Sequence, residues 1–233
     1  MIWPPRSLVS DALVSQPGTI EGDAWGRLAF LEESLCFRCG FLLPAYVGEQ
    51  AVCGACAFVP PLFDPARATL VYNDDARHMV LQLKRAGRRD GLPVFGVWMA
   101  QAAAPLIAEA DVIAPVLWHW RRLASRGFNQ AAWLAQALSA RCGLPWRPAL
   151  LQRPRKPGGQ AGLSRSDRGR QVAGAFRVSR GHTLAGKTIL LVDDVITTGA
   201  TADACARALK KAGAAQVHMA ALARVVKGAE ASI

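Results

Sequence analysis

The sequence has no uninterrupted apolar run of about 18 residues, which is the length that a membrane-spanning helix requires. The nearest approach, residues 92–108, is interrupted by Gly, Gln and Pro and predicts an alanine-rich buried helix. The first 16 residues contain two prolines, an arginine and an aspartate, which is not the pattern of a secretion signal. We therefore expect a cytoplasmic protein without a membrane span.

Histidine is also scarce, and the four histidines do not have the spacing of a metal site or of a catalytic triad. No internal repeat is visible. Hydrophobic residues make up 52% and charged residues 19% of the 233-residue chain, a composition that excludes a disordered protein. The chain is long enough to form a globular protein with a sizeable core.

Acidic residues are the minority, with 17 against 28 basic residues, and the formal net charge is +11. An arginine-rich soluble surface that reflects genome composition is one explanation. A polyanionic partner, either a phosphorylated substrate or a nucleic acid, is the other. The charge is spread along the chain, so it does not decide between them.

Four of the six cysteines form two CxxC pairs, Cys36/Cys39 and Cys53/Cys56, separated by 13 residues. Paired cysteines in a cytoplasmic protein bind metal or perform redox chemistry more often than they form disulfides. A redox pair is expected within a βαβ unit, and neither pair lies in one, although buried free thiols remain a further alternative. Four thiolates predict a structural zinc ion that stabilises a lobe too small to fold alone.

Short β-rich runs alternate with helical patterns from residue 66 onward. The predicted strands are 67–72, 111–117, 188–192 and 216–221, and the predicted helices are 75–86, 128–138 and 200–212. Met79, Val80 and Leu83 share one face of the first of these helices. This alternation predicts βαβ units in a mostly parallel sheet. The polar, arginine-rich residues 153–172 predict a functional loop.

The most informative segment is 188–201. A strand buried on both faces is followed by Asp193 and Asp194 at its carboxyl end, where open α/β sheets bind ligands. The next residues open a helix whose free amides can hold a phosphate; they are Thr197, Thr198, Gly199, Ala200 and Thr201. Ionised carboxylates accept hydrogen bonds from vicinal sugar hydroxyls. Together, the two acids and the helix start predict a site for a ribose 5-phosphate. The alternative is an ordinary βα turn with an acidic start.

Residues 188–201 resemble the signature of type I phosphoribosyltransferases, in which two acids and a Thr/Gly turn follow a hydrophobic strand. In members that use 6-oxopurines, an aspartate that exchanges a proton with the base stands at the position of Thr197. Threonine cannot exchange that proton near neutral pH. The resemblance therefore implies that hypoxanthine and guanine are not substrates.

Residues 114–131 resemble a segment of the ComF family. The matching residues are Pro115, His119, Arg122, Arg126, Gly127, Phe128, Asn129 and Gln130. Leu117 replaces the second proline of the pattern. The resemblance implies that the turn after this strand is the pyrophosphate loop, where Arg126 contacts pyrophosphate with local support from Asn129 and Gln130. For Arg126 alone, a surface charge at a helix N-terminus is the alternative.

The polar loop resembles the same family. Its matching positions are Arg153, Lys156, Gln160, Leu163, Arg168 and 174–176, whereas Gln171 stands where the family tends to have Asn. In related transferases a flexible basic loop closes over the reaction centre and excludes water. Arg153 and Lys156 are therefore candidates for screening pyrophosphate charge. A solvated basic loop explains either residue alone equally well.

The ComF resemblance implies an α/β fold of the type I phosphoribosyltransferase kind, a mostly parallel sheet flanked by helices and preceded by a small zinc-ribbon domain. The expected division is 1–62, with the ribbon at about 34–60, and 63–233. The expected ligands are structural Zn²⁺ and phosphoribosyl pyrophosphate with Mg²⁺.

Two functions follow from this resemblance. One is a role in natural competence, handling single-stranded DNA during uptake beside helicases. The other is an active glycosyltransferase of nucleotide metabolism with an unknown acceptor. Trp118, Trp120 and Trp133 are present either to stack on bases or to fill the core.

Overall fold

A computed structural model describes residues 4–10, 12–32, 34–86, 88–116, 128–153 and 176–226. The helices are α1 (Gly22–Trp25), α2 (Gly54–Phe58), α3 (Asp74–Leu81), α4 (Leu92–Ala102), α5 (Ala104–Glu109), α6 (Gln130–Cys142) and α7 (Ala200–Lys211), with a π-helical turn at Gln82–Ala86. The strands are β1 (Ala66–Val71), β2 (Val112–Pro115), β3 (Leu151–Gln152), β4 (Arg177–Val178), β5 (Thr188–Ile196) and β6 (Gln216–Arg224). None of the helices in these ranges has the length and apolarity to cross a membrane.

The main sheet has the strand order β1-β6-β5-β2, and every neighbouring pair in it is parallel. The predicted parallel α/β architecture is therefore confirmed. The apolar run Ile189–Val192 is fully buried, as expected for a strand covered on both faces. The strand continues beyond the predicted end at Val192, so that Asp193 and Asp194 are themselves strand residues, and Asp193 pairs with Ala221 of β6.

Each face of the sheet contributes to a separate core because successive strand residues point to opposite sides. Leu190 and Val192 lie in the core formed with α3, α4, α5 and α6. Ile189 and Leu191 lie in the core that contains α7 and the cysteine-rich segment. Helices and the cysteine segment thus cover both faces, and the carboxyl ends of the strands form one edge of the molecule.

Two predicted helices are present at the expected positions, but neither is one continuous α-helix. Residues 92–108 form α4 and α5 rather than one helix, and Pro105 lies in the first turn of the second, where its missing N–H removes no helical hydrogen bond. Residues 75–86 begin as α3 and end in the π-helical turn. The predicted apolar face of Met79, Val80 and Leu83 is buried, as expected.

The amino-terminal segment covers the free edge of β1. Leu31 N–H donates to the Thr69 carbonyl at 2.9 Å, and Val71 N–H donates to the Ala29 carbonyl at 2.8 Å. These bonds occupy groups that an edge strand would otherwise expose to another chain. The core is continuous across the expected domain boundary at 62/63, because Cys56 and Phe63 belong to the same buried cluster. The boundary itself stays a prediction.

Candidate functional site at the carboxyl edge of the sheet

The turn from β5 into α7 has the geometry of an anion cradle. Gly199 precedes the helix with φ +82, a left-handed conformation that side chains rarely adopt. A Cβ atom on Gly199 would also lie 3.1 Å from Cε1 of Phe63. Within the described chain no side chain caps α7 at its N-terminus, and the amide of Ala200 lies 3.4 Å from the Thr198 hydroxyl. The first turn of the helix is therefore open to a ligand.

The predicted cradle residues surround this helix start. Thr197, Thr198, Ala200 and Thr201 are exposed, whereas Gly199 is half-buried against Phe63. Asp203, in the first turn of the helix, connects it to the segment before β1, since its carboxylate accepts a hydrogen bond from the amide of Leu62 at 2.7 Å. Backbone amides with the helix dipole behind them favour a bound anion.

The two predicted acids differ in their surroundings. Asp194 is buried, and its Oδ2 lies 3.0 Å from Nζ of Lys84 on the π-helical turn. Asp193 is half-buried, and its Oδ1 accepts a hydrogen bond from the Asp194 amide at 2.8 Å. Burial and the neighbouring charge of Asp194 hold the pKa of Asp193 well above its usual range, against the opposing effect of Lys84. Without a ligand, the site thus favours a proton on Asp193.

Asn129 connects the two ends of the segment that was predicted to bind pyrophosphate. Its side-chain oxygen accepts from the Ala131 amide at 3.2 Å and so caps α6. Its side-chain nitrogen donates to the Val116 carbonyl at 3.3 Å, just beyond β2. Asn129 therefore holds the strand end and the helix start together. Arg126 lies outside the described residues.

Of the two other basic residues predicted to contact pyrophosphate, one lies within the described residues and one does not. Lys156 lies outside the described residues, as does most of the predicted loop 153–172. Arg153 is described, and its guanidinium carbon lies 5.4 Å from the ring centroid of Phe176, which flanks the other end of that segment. Trp133 stacks on Phe128 with ring centroids 4.4 Å apart and packs against the core, in agreement with the core alternative for this tryptophan.

The second predicted site is formed by the four paired cysteines. The Sγ atoms of Cys36, Cys39, Cys53 and Cys56 all lie within 4.8 Å of one another, and all four thiols are free. The Cys39 and Cys53 sulfurs are 3.7 Å apart. Tetrahedral Zn–S bonds of about 2.3 Å place the sulfurs about 3.8 Å apart. The cluster therefore fits a tetrahedral metal ion and is consistent with a zinc ribbon.

The electrostatics of the cluster depend on burial and on local amides. Burial raises the pKa of Cys39 to about 11, and the charge of Arg224 opposes this shift. Burial also raises the pKa of Cys56 above its usual range. For Cys36, burial acts in the same direction, but hydrogen bonds from the amides of Cys39 and Cys53 outweigh it and lower the pKa to about 7. A metal ion would have to displace protons from the buried thiols.

Sequence reasoning missed Lys84 and Arg224. Lys84 carries a weak signal, because it is the only lysine before residue 156 in a chain that otherwise uses arginine. The π-helical turn on which it lies is a geometry often found at functional sites. Arg224 had no signal, since the predicted strand ended at residue 221.

Similarity to known proteins shows the family to which the chain belongs. The phosphoribosyl transferase domain model matches residues 124–232. DNA utilization protein YhgH of Escherichia coli O157:H7 is 32% identical over 209 residues, which cover 86% of this chain and 88% of that protein. Competence protein F of Haemophilus influenzae is 35% identical over 116 residues, about half of each chain. The chain belongs to the ComF family.

Among solved structures, the chain is similar to the glutamine phosphoribosylpyrophosphate amidotransferase of B. subtilis, complexed with ADP and GMP. The TM-score is 0.43 at 24% identity, over 61% of this chain and 30% of that one. The α/β fold with a parallel sheet flanked by helices follows from the strand order and the domain match, and a cysteine cluster precedes the matched domain.

Proposed function

We propose that this ComF-family chain binds phosphoribosyl pyrophosphate, or a related ribose 5-phosphate, at the carboxyl edge of β5. The observation that carries the proposal is the turn at Gly199, which opens the amino end of a 12-residue helix next to a pair of acids. In this arrangement the 5-phosphate lies against the amides and hydroxyls of residues 197–201. An anion at a helix N-terminus is stabilised by the free N–H groups and by the helix dipole.

Asp193 and Asp194 hold the ribose in this proposal. Their carboxyl oxygens accept hydrogen bonds from the 2- and 3-hydroxyls, and carboxyl oxygens are the kind of ligand that Mg²⁺ prefers. Magnesium, when bound with the ligand, neutralises pyrophosphate charge. Lys84 lies beside this pair, with its ammonium nitrogen 3.0 Å from Oδ2 of Asp194. Arg126, Arg153 and Lys156 remain our candidates for pyrophosphate contacts.

The biological role that we propose is in DNA uptake, within the cytoplasm and with single-stranded DNA and uptake or helicase proteins as partners. It is supported by the names of the relatives, DNA utilization protein and competence protein F. The net charge of +11 is compatible with a polyanionic partner. We further propose that the cysteine cluster binds structural zinc, since four thiolates leave no position open for catalysis.

The second candidate is an active phosphoribosyltransferase, supported by the matched domain. Pyrophosphate would leave from ribose C1 as an acceptor attacks an oxocarbenium-like centre. The residues of the chain would position the sugar and exclude water. Thr197 stands at the position where the 6-oxopurine enzymes have an aspartate. This difference argues against hypoxanthine and guanine as acceptors. Pyrophosphate release with a panel of bases separates this function from binding alone.

Calorimetric titration with phosphoribosyl pyrophosphate and Mg²⁺ tests the site. We expect binding by the wild type, and loss of at least ~10-fold in affinity in Asp193→Asn and in Asp194→Asn, since each replaces an accepting carboxyl oxygen with an NH2 group that can only donate. Asp23→Asn, an exposed substitution on α1, is the matched control. Equal affinity in all variants would contradict the sugar site, and no binding by the wild type would reject the ligand.

A mobility shift with single-stranded DNA tests the proposed partner separately. Binding by contacts to phosphates should weaken steeply as salt is raised, because counterions are released on association. Binding that is absent, or that does not respond to salt, would argue against direct handling of DNA by this chain. If DNA binds at a separate site, Asp193→Asn should leave DNA binding unchanged. A loss of DNA binding in this variant would show that the two ligands share the site.

A further inference from the structure

Arg224 is a buried cation whose hydrogen-bonding capacity is largely unused. Arg224 lies at the end of β6 and is 6% exposed. Neither its Nε nor its Nη1 atom has a hydrogen-bond acceptor among the described residues. The guanidinium carbon lies 5.8 Å from the ring centroid of Phe41. Burial of a charged group without an acceptor is costly, so a guanidinium in this position requires a nearby anion.

The aromatic ring beside Arg224 belongs to the cysteine-rich segment. Phe41 belongs to the first CxxC turn, because its carbonyl accepts a hydrogen bond from the Cys36 amide at 2.7 Å. Four thiolates around one divalent ion carry a formal charge of −2, and this charge is buried in the same core.

A second arginine contacts the same turn from β1. Nη1 of Arg67 donates to the Phe37 carbonyl at 3.2 Å, inside the first CxxC turn, and to the Ala66 carbonyl at 2.8 Å. Two guanidinium groups thus contact residues of the cysteine-rich segment, which would hold two negative charges when a divalent ion is bound.

We propose that Arg224 and Arg67 are the charge-compensating partners of the metal-bound cysteine cluster. The inference rests on the metal site proposed above and is independent of the sugar-phosphate site. Partners in the outer shell of a metal site tune its affinity as the ligands themselves do. Arg224 also connects that centre to the sheet edge, since it is paired with Ile196 of β5, directly before the cradle.

The first test is metal affinity. Wild type, Arg224→Met, Arg224→Lys and Arg67→Met are purified with Zn²⁺, their zinc content is measured by elemental analysis, and affinities are compared by competition with a chromogenic chelator. We expect Arg224→Met to bind about 10- to 100-fold more weakly. Arg224→Lys should recover part of the loss because it keeps the charge. Arg207→Met, exposed on α7, is the matched control and should bind as the wild type does.

The second test separates charge from packing by comparing melting temperatures with and without metal. With zinc bound, Arg224→Met should melt below the wild type because the centre loses its counterion. After chelation and reduction the order should reverse, because the wild type then retains a buried guanidinium without the metal-bound thiolates. A packing role would lower the melting temperature of the variant in both states.

The outcomes are distinguishable. Zinc-free wild type would reject the proposed metal site itself and with it the role of Arg224. Zinc-loaded wild type with equal affinity in Arg224→Met and Arg67→Met would reject only the charge-compensating role. Unchanged zinc affinity in Arg224→Met together with lost binding of phosphoribosyl pyrophosphate would assign the arginine to the sugar-phosphate site instead. If Arg224→Met does not fold, the affinities of Arg224→Lys and Arg67→Met decide the question.

Discussion

Replacing Asp193 with Asn should stabilise the ligand-free protein, and the gain should grow with pH. Asp193 holds its proton in the folded chain because burial and the charge of Asp194 raise its pKa well above the usual range. An unfolded aspartate loses its proton near pH ~3.9. Between that pH and the raised pKa, the folded state binds one proton more than the unfolded state. Stability of the wild type therefore falls as pH rises through this window.

The size of the effect follows from the proton count. A difference of one proton changes the free energy of unfolding by ~1.4 kcal/mol per pH unit. In a chain of this length, 1 kcal/mol corresponds to roughly 2–4 °C in melting temperature. The Asp193→Asn variant should thus gain roughly 3–6 °C on the wild type for each pH unit inside the window, and the difference should become constant above the raised pKa. Asn retains an oxygen that can accept the Asp194 amide hydrogen bond.

The assay is calorimetric or fluorimetric melting from pH 4.5 to 8 at constant ionic strength, without Mg²⁺ or phosphoribosyl pyrophosphate. Asp23→Asn, which removes an exposed carboxylate, is the control. Both variants retain the cysteine cluster, so its own pH dependence cancels in the comparison. A difference between Asp193→Asn and wild type that does not change with pH would refute the reasoning, as would a variant that melts below the wild type at neutral pH.

Three further substitutions act on neighbouring features. Lys84→Met should lower the free energy of unfolding by about 2 kcal/mol, because it removes the ammonium group that lies 3.0 Å from Asp194. The loss is smaller than for a fully buried pair because Lys84 is partly exposed. Denaturant unfolding measures it. Asn129→Ala should cost about 1–2 kcal/mol in the same assay through loss of the α6 cap, with Ser retaining most of it. Gly199→Ala should cost about 1–2 kcal/mol, since φ is +82 and Phe63 is close, and should weaken phosphoribosyl pyrophosphate binding in calorimetry. Unchanged stability in any of the three would contradict the contact from which it was argued.

The fold was predictable because local patterns reported it. The apolar run in β5 predicted a strand covered on both faces, and the alternation of strands and helices predicted parallel pairing. The spacing of the four cysteines predicted a cluster because two tight turns are enough to bring the thiols together. The end of β5 was predicted too early, because aspartate is uncommon in strands. Pairing of β5 with β6, at Asp193 and again at Val195 and Ile196, outweighs that preference.

The interactions at the site were less predictable because they join distant parts of the chain. The ion pair of Lys84 with Asp194 and the burial of Arg224 depend on which strands are neighbours in the sheet. Periodicity shows which face of an element is apolar, but it does not show which buried charge lies opposite. Pro105 was a local signal for the break before α5, although the surrounding alanines favour helix and obscured it.

Four departures from ordinary local structure meet near the carboxyl edge of one sheet. Lys84 lies on a π-helical turn, Asp193 has a raised pKa, Gly199 adopts a left-handed conformation, and Arg224 is a buried guanidinium. Each costs stability when considered alone, and natural chains retain such costs mainly where function requires them. If the edge is a ligand site, relieving the cost at Asp193 should raise stability and abolish binding in the same variant. A variant there that gained stability and kept full affinity would show that the strain has a purely structural origin.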